Sequence, residues 1–447
     1  DYVFKDIPQD HHIRVSFGKN LTSKNDITIY ARSEDNANVE VYEKDSEVLL
    51  AEFGQISNYD EYKVYLDNLD GSQEVFDLKI LNGSVEFDYI VDPSFMNYTD
   101  WAYRKNITID HTKVSDDFTD FVILIDVTDI NLSDYAQDDG DDIIFLEDNA
   151  TKLSHEIEYY DNETGHLVAW VKANISSTED TILWMYYGNN NAENQEDVAN
   201  VWNDYEAVWH MKNASDSTGN YDGTPSNTIE TTGQIDGAYD FEKSSSGKVA
   251  TGFRTDPYTH LTWSMWIRVE SYANYGYIFD STPGSTGCGA RATTGDNIAF
   301  FCYAGGNHNL ATDTGPTTGE WYYYVFIQNA TGSNIYRDAV YRDGTAQDDS
   351  AGITDSNTDM NIAAEQDNTD YFDGIIDELR ISNASRSVEW ISTTYENQRP
   401  GSTFYALGDE EKVKDFAPTV YLDQPPAHFL SANKAAYKST GSCNKNH

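Results

Sequence analysis

GIIDELRISNASRSVEWISTTYENQ, at residues 374–398, places an apolar strand pattern directly before a helical one. Its first nine residues are rich in aliphatic side chains, and Gly374 permits a turn ahead of them. Val388, Ile391 and Tyr395 then follow at intervals of three and four residues, which favours a short helix. The stretch therefore predicts a final strand and a helix directly after it.

The adjacent carboxylates Asp377 and Glu378 in this stretch raise the question of an active site. Neighbouring residues of a regular strand point to opposite faces of a sheet. On that expectation the two carboxylates cannot act on one substrate bond, and they belong to the scaffold. The residues that form the strand and its core are then Ile375, Ile376, Leu379 and Ile381.

Length and composition favour several compact β-domains. The chain has 447 residues, for which about three domains are expected, and 39% of them are hydrophobic. It contains 32 Tyr but only 5 Met and 10 Pro. A composition rich in Tyr, Thr, Ile, Val and Gly is typical of strands and turns. We therefore expect an all-β fold.

The negative charge limits the classes of partner. There are 76 acidic residues against 29 basic ones, which gives a formal net charge of −47 at pH 7. A field of this sign repels nucleic acid and anionic membranes; it is typical of a solvated surface, which could also bind cations or a cationic partner. The longest apolar run, at 121–125, is too short to cross a bilayer. We expect no nucleic-acid partner and no membrane-spanning segment in this chain.

Sequons indicate an exported protein, and two of the cysteines predict a disulfide. Cys288 and Cys302 are 14 residues apart in a Gly-rich stretch, which predicts a hairpin-closing disulfide, with two free buried thiols as the alternative. The chain opens at Asp1 without a signal-like segment, so we expect a piece of a longer polypeptide. Asn-x-Ser/Thr acceptor sites are moderately enriched, at Asn20, Asn82, Asn97, Asn106, Asn131, Asn149, Asn162, Asn174, Asn213, Asn329 and Asn383.

Turn-rich breaks divide the chain into four parts. Residues 1–95 show period-two alternation in six short segments, which predicts an N-terminal β-sandwich. A second β-domain is expected over 96–202 and a third over 203–411. The remainder, 412–447, reads as a linker and the start of a further domain.

Two of these parts resemble known families. Trp101, Tyr103, Arg104 and Lys105, followed by DGDDIIFLED, LSHEIEYYD, LVAWVKA and LWMYYGN, resemble an uncharacterised domain of archaeal and bacterial surface proteins. That family implies no activity. AVWHM, DSTGNYDG, WSMWIRV, GEWYYYVFI, YRDGT and the closing stretch resemble the laminin-G-like, concanavalin A-like jelly roll. APTVYLDQPPAHF in the tail resembles the first strand of an immunoglobulin-like repeat. Together they imply serial β-sandwiches of an archaeal-type surface protein.

Catalytic motifs are missing from the sequence. It has no GxSxG, HExxH, GxxxxGK[ST] or GxGxxG, and no Glu-x-Asp-x-x-Glu pattern of the kind that jelly-roll glycosidases carry on one strand. The acidic pairs Asp138-Asp139 and Asp141-Asp142 flank Gly140 and are interpreted as solvated loop charge. We therefore expect a protein that is not an enzyme.

A structural Ca²⁺ ion is the one cofactor that the sequence suggests. Asp216, Asn220 and Asp222 surround Gly219 with short oxygen ligands. The resemblance to laminin-G-like loops implies help from the closing strand, where Asp377 is the natural contributor. An ordinary Asx-rich turn is the alternative.

Aromatic runs offer candidate surfaces for sugars. Tyr272, Tyr275 and Tyr277 form one run and WYYY at 321–324 another, although such residues more often fill the core and rim of a sandwich. The leading expectation is an extracellular or cell-surface array of structural and adhesive modules, which could form filaments. Its partners would be glycans, other surface proteins or copies of itself. The alternatives are a calcium-dependent carbohydrate-binding protein and a secreted glycosidase.

Overall fold

Antiparallel strand pairs form two compact units, which confirms the all-β fold class. A computed structural model describes residues 100–413 apart from 148–150, 257, 273–274 and 355, together with nine strand segments outside that range. One unit comprises Asp1–Thr99 with Lys414–His447, and the other comprises Asp100–Val413.

The first unit consists of two antiparallel sheets. Their strand orders are β1-β8-β3-β6 and β32-β2-β7-β4-β5. Val39, Val41 and Leu78 are fully buried, as their alternating positions predict. The strands are β1 (Phe4–Pro8), β2 (His12–Thr22), β3 (Asp26–Arg32), β4 (Ala37–Glu43), β5 (Leu49–Ile56), β6 (Asp60–Tyr65), β7 (Asp70–Ile80), β8 (Ser84–Val91) and β32 (Thr419–Leu422).

The strand in the C-terminal tail pairs within this first unit. β32 runs antiparallel to β2, with Ile13 opposite Leu422 and Ser16 opposite Thr419. The tail strand therefore extends a sheet formed by the N-terminal segment. The expected start of an immunoglobulin-like repeat is not supported.

The second unit begins with residues 100–202, here called the leading region. Its sheets are β10-β13-β12 and β11-β14-β9, and the latter is extended by β30 and β31 from beyond residue 402. Its elements are β9 (Tyr103–Ile109), a 3-10 helix (His111–Lys113), β10 (Phe118–Thr128), α1 (Ile130–Tyr135), β11 (Ile144–Leu146), β12 (His155–Asp161), β13 (His166–Ile175), β14 (Thr181–Tyr187), α2 (Val198–Val201), β30 (Tyr405–Leu407) and β31 (Glu411–Lys412).

Residues 203–402, here called the sandwich region, form two large antiparallel sheets. The front sheet has the order β17-β18-β29-β20-β25-β26-β27, with β15 also on β29, and the back sheet has the order β16-β19-β28-β21-β22-β23-β24. Their elements are β15 (Ala207–Trp209), β16 (Thr224–Ser226), β17 (Ile229–Thr232), β18 (Gly237–Phe241), a 3-10 helix (Lys243–Ser245), β19 (Lys248–Ala250), β20 (Leu261–Val269), β21 (Gly276–Asp280), β22 (Cys288–Thr293), β23 (Asn297–Ala304), β24 (Asn307–Thr314), β25 (Trp321–Asn329), β26 (Gly332–Arg337), β27 (Val340–Ala346), β28 (Asn361–Ile362), β29 (Gly374–Ser382) and α3 (Val388–Gln398).

The central strands of the front sheet, β20, β25 and β29, are buried on both faces. Trp263 and Met265 on β20 point into the core between the two sheets. Trp266 on the same strand, with Tyr323 and Val325 on β25, belongs instead to the core of the leading region. The outer face of these central strands is therefore covered by the leading region, and residues of both regions form the core on that side.

A β-bulge interrupts β29 at Asp377 and Glu378. Ser264 of β20 pairs with Arg380 and Trp266 pairs with Asp377, so β29 carries one extra residue between these pairs. Glu378 has a φ of 54°, a left-handed conformation that non-glycine residues adopt at a cost. The expectation that the two carboxyls point to opposite faces is wrong, because the bulge turns both towards the leading region.

The predicted helix after the closing strand is confirmed as α3. Ser387 caps its N-terminus by accepting a hydrogen bond from the Trp390 amide at 3.1 Å. Asn397 near its end binds both backbone groups of Leu124 on β10, at 2.7 and 3.0 Å. The helix thus fastens the sandwich region to the leading region. Among the described residues, no helix has the length and apolar character needed to cross a membrane.

Candidate functional site

The front sheet and the leading region enclose a cluster of ionisable side chains around His210. This residue directly follows β15, and its Nδ1 atom lies 2.8 Å from Glu378 Oε1 and 3.3 Å from Glu158 Oε2. Its Nε2 atom lies 3.1 Å from Glu156 Oε2. Three carboxyl groups, two from β12 and one from the bulge in β29, therefore surround one imidazole.

Arg380 and Trp170 complete the cluster. The Arg380 guanidinium pairs with Glu378 Oε2 and lies 3.8 Å from the ring centroid of Trp170. Trp170 Nε1 donates a hydrogen bond to Glu158 Oε2 at 2.8 Å. The side chains of Glu158, Glu378 and Arg380 are only 3%, 1% and 3% exposed. The charges are thus held almost out of contact with water.

The electrostatics of the cluster separate its carboxyl groups into two classes. Burial acts against the charge of His210, but Glu378 and Glu158 outweigh it and raise the pKa of the imidazole well above its usual range. Burial also acts against ionised Glu378, yet His210 and Arg380 lower its pKa to about 2. Burial, together with the charge of Glu378, raises the pKa of Glu158 and Asp377 well above the ordinary carboxyl range. The protonated form is therefore favoured in Glu158 and Asp377 and disfavoured in Glu378.

Sequence reasoning missed this cluster. Its members come from segments that are more than 50 residues apart in sequence, as His210 and Glu156 are. The only local signal was HEIEYYD, in which Glu156 and Glu158 alternate on a strand that contributes to a core. Two acidic residues on one face of such a strand indicate a buried polar partner.

A cavity of about 410 Å³ lies at another point of the same junction. One wall is the segment 234–235, whose two backbone amides donate to Asp377 Oδ2 at 2.8 Å each. Its other polar residues come from β10, from the end of α3 and from the segment that follows α3. The lining residues are Leu124, Asp126, Gln234, Ile235, Asn397, Gln398, Arg399, Pro400, Gly401, Ser402, Phe404 and Tyr405.

The predicted calcium ligands are divided between two places. Asp216 accepts five hydrogen bonds, from the amides of Val208, Thr218, Asn220 and Tyr221 and from the Thr218 hydroxyl. Its oxygens are therefore committed to N–H and O–H donors. Asp222 accepts from the Asp216 amide, whereas Asp377 binds the segment 234–235. The arrangement has the contacts of an Asx-rich turn, and calcium binding by these residues stays a prediction.

The interpretation of Asp142 as solvated loop charge is wrong. Asp142 is fully buried, and its carboxyl accepts from the amides of Gln137, Gly188 and Asn189 at 2.7 to 2.8 Å. It joins the loop after α1 to the end of β14. Asp138 and Asp139, by contrast, are exposed.

The aromatic runs are mostly core. Tyr272 and Tyr277 are buried, as are Tyr323 and Tyr324 in the second run. Tyr275 is 46% exposed, but the Arg291 guanidinium lies 4.7 Å from the centroid of its ring and occupies one face. Trp321 and Tyr322 are half-buried, so Tyr275 is the most exposed ring of the two runs.

The sandwich region contains a disulfide between Cys288 and Cys302, which lie opposite each other on β22 and β23.

Exposure differs among the described sequons. Asn174, Asn213 and Asn383 are exposed, whereas Asn106, Asn131, Asn162 and Asn329 are half-buried. The side chains of the sequons at 20, 82, 97 and 149, and Cys443, lie outside the described residues.

Two family models match parts of this chain. Residues 241–392 match the concanavalin A-like lectin/glucanases superfamily. Residues 139–231 match a domain of unknown function, DUF2341. The chain thus contains a concanavalin A-like region next to a DUF2341 region, as the resemblances implied. No curated protein matches it.

Several solved structures share a distant likeness. The botulinum neurotoxin serotype D binding domain has 16% identity and a TM-score of 0.37, covering 44% of this chain and 51% of that one. The botulinum neurotoxin type G receptor binding domain has 14% identity and a TM-score of 0.35, with 44% and 51% covered. The binding domain of Paraclostridial Mosquitocidal Protein 1 has 12% identity and a TM-score of 0.37, covering 43% of this chain and 51% of that one. The chain spans about half the length of these structures.

Proposed function

We propose that this chain is a structural and adhesive part of an extracellular, cell-surface protein, and that it recognises glycans without cleaving them. The match of residues 241–392 to a superfamily of lectins and glucanases supports a carbohydrate as the ligand. Eleven sequons and the disulfide are consistent with export.

The polar cavity carries the proposal for glycan binding. Its volume of about 410 Å³ lies within the range of small-ligand sites. Gln234, Arg399 and Asp126 contribute side-chain donors and acceptors, and Tyr405 and Phe404 add aromatic surface. Such a lining suits the hydroxyl groups and apolar faces of a sugar. The net charge of −47 disfavours sialylated and sulfated glycans, so we expect a neutral one.

Burial of the carboxyl cluster favours binding over hydrolysis. Glycoside cleavage needs a sugar ring between two carboxyl groups. Glu158 and Glu378 are nearly inaccessible, and Glu378 is already paired with Arg380. A substrate would have to break that pair and displace the leading region. We therefore propose that the protein is not an enzyme.

Self-association through an edge strand is part of the proposal. β27 lies at one edge of the front sheet, and Val340 and Tyr341 on it are each 53% exposed. An edge of this kind can accept a strand from another copy. Electron micrographs of the purified protein over a range of concentrations test this point. Filaments are expected, and dispersed monomers at every concentration would exclude this route.

A glycan array tests the cavity directly. We expect the wild-type chain to bind neutral glycans, and Gln234→Ala and Arg399→Ala to weaken binding at least tenfold. Gln347→Ala, an exposed glutamine outside the cavity, is the matched control and is expected to bind normally. Arrays with and without EDTA test the calcium-dependent alternative. Glycan binding that survives both cavity variants would show that the cavity is not the site.

A further inference from the structure

We propose that Glu158, His210 and Glu378 bind one divalent transition-metal ion, which joins the leading region to the front sheet. The ligand atoms are Nδ1 of His210, Oε1 of Glu378 and a carboxyl oxygen of Glu158. This site is separate from the cavity, and the proposal does not depend on glycan recognition.

The donor atoms already have suitable spacing. His210 Nδ1 lies 2.8 Å from Glu378 Oε1 and 3.3 Å from Glu158 Oε2, and one ligand atom from each residue falls within 4.8 Å of the others. Metal–ligand bonds of about 2.0 to 2.1 Å in tetrahedral geometry place two ligands about 3.3 Å apart. An ion therefore fits between these atoms after small side-chain shifts.

Each ligand is held by a second partner. Glu156 contacts the far nitrogen of His210 at 3.1 Å, which leaves Nδ1 as the ligating atom. Arg380 binds the other oxygen of Glu378, and Trp170 binds Oε2 of Glu158. Metal-binding histidines usually have such a carboxylate on their second nitrogen, and ligating carboxylates are hydrogen-bonded in the same way.

A buried oxygen without a partner is an independent sign of a missing ligand. Glu158 Oε1 is fully buried and has no hydrogen-bond partner among the described residues. An orphaned buried carboxyl oxygen costs free energy, and a bound cation would remove that cost. The balance of charge in the cluster also supports a divalent cation. With His210 neutral as a ligand, three ionised glutamates are matched by Arg380 and one divalent ion.

The donor set selects a class of metal. One imidazole nitrogen with two carboxylates suits Zn²⁺ and neighbouring first-row ions, whereas Ca²⁺ requires six to eight oxygens. The site is enclosed, with the His210 side chain 11% exposed, and its three residues offer one ligand atom each, fewer than such a shell requires. Because Glu158 lies on β12 and Glu378 on β29, the ion would bridge the DUF2341 match and the concanavalin A-like match.

Zinc binding to the full chain tests this proposal. The protein is freed of metal with a chelator and dialysed against Zn²⁺, and bound metal is measured per chain. We expect one tightly bound ion and a binding constant at least 100-fold weaker in Glu158→Gln. Glutamine retains an acceptor for Trp170 and resembles a neutral carboxyl in shape, so this variant should fold. Glu156→Gln should weaken binding by about 10- to 100-fold, as removal of such a partner typically does.

The matched control uses the other histidine–carboxylate group of the described region, which lies on the surface. His111→Gln alters the set formed by Asp110, His111 and Asp180 and should leave tight binding intact. X-ray absorption of the Zn²⁺-loaded wild type is expected to show an imidazole in the shell. Three outcomes would each overturn the proposal: a shell of oxygen atoms only, equal binding by Glu158→Gln, or no tightly bound ion in the wild type. The third outcome would mean that protons alone neutralise the cluster.

Discussion

Replacing Arg380 with methionine tests the reasoning about the buried cluster. Arg380 is 3% exposed, pairs with Glu378 and stacks on Trp170. Methionine fills similar volume but leaves the Glu378 carboxylate buried with His210 as its remaining cation. Removing one member of a buried ion pair typically costs about 3 to 5 kcal/mol, and we expect a loss of that size in the free energy of unfolding of the second unit.

Tryptophan fluorescence in urea, with a chelator present, provides the assay. All nine tryptophans lie between residues 101 and 390, so their signal reports the second unit alone. Arg380→Met/Glu378→Gln is the diagnostic control, because it removes the unpaired charge together with its partner. The double variant should be less destabilised than the sum of the two single variants. A loss below about 1 kcal/mol in Arg380→Met, or strict additivity, would refute the account.

Three further outcomes can be measured with the same unfolding assay. Asp142→Ala should lower the free energy of unfolding by about 3 kcal/mol, since it leaves one buried and two half-buried amides without their acceptor; an effect near zero would mean that these hydrogen bonds do not stabilise the loop. Replacing both Cys288 and Cys302 with alanine should lower the free energy of unfolding by about 3 kcal/mol, as expected for a disulfide that closes a loop of this length. The loss should be smaller under reducing conditions, because the wild type then lacks the disulfide as well. Burial raises the pKa of Asp280 from 3.8 to about 7, so the native state keeps a proton that the unfolded chain releases, and stability should fall by about 2 to 3 kcal/mol between pH 5 and 8. Asp280→Asn should flatten that dependence, and an unchanged slope would contradict it.

Some features were predictable because their physical cause is local. The aliphatic residues of β29 and the helical spacing of α3 lie within one short stretch. The opposition of Cys288 and Cys302 likewise follows from two strands joined by a short turn. The resemblances also predicted the two families that match this chain, although the DUF2341 match extends to residue 231, past the border expected at 202.

Other features could not be predicted from the sequence, because they depend on contacts between distant segments. Asp142 looked like loop charge, yet it is buried by the amides of residues 188 and 189. β30 follows the sandwich region in the sequence but pairs with β9, some 300 residues earlier. Tyr272 is buried in the core between the two sheets of the sandwich region, and Tyr277 is buried beside Arg291 and Phe301 of its own sheet. Composition contains no information about these pairings.

The sequence by itself determined the all-β class, the strand and helix at residues 374–398, and the two related regions, since each rests on local patterning of side chains. Only the tertiary structure decided where the side chains of Asp377 and Glu378 point. An extra residue relative to β20 produces the bulge, and the bulge turns both carboxyls towards the leading region. There Glu378 meets His210, Arg380 and, through the imidazole, Glu158. The physical reason is that strand register is set by the partner strand, so the face a side chain occupies cannot be read from its own strand alone.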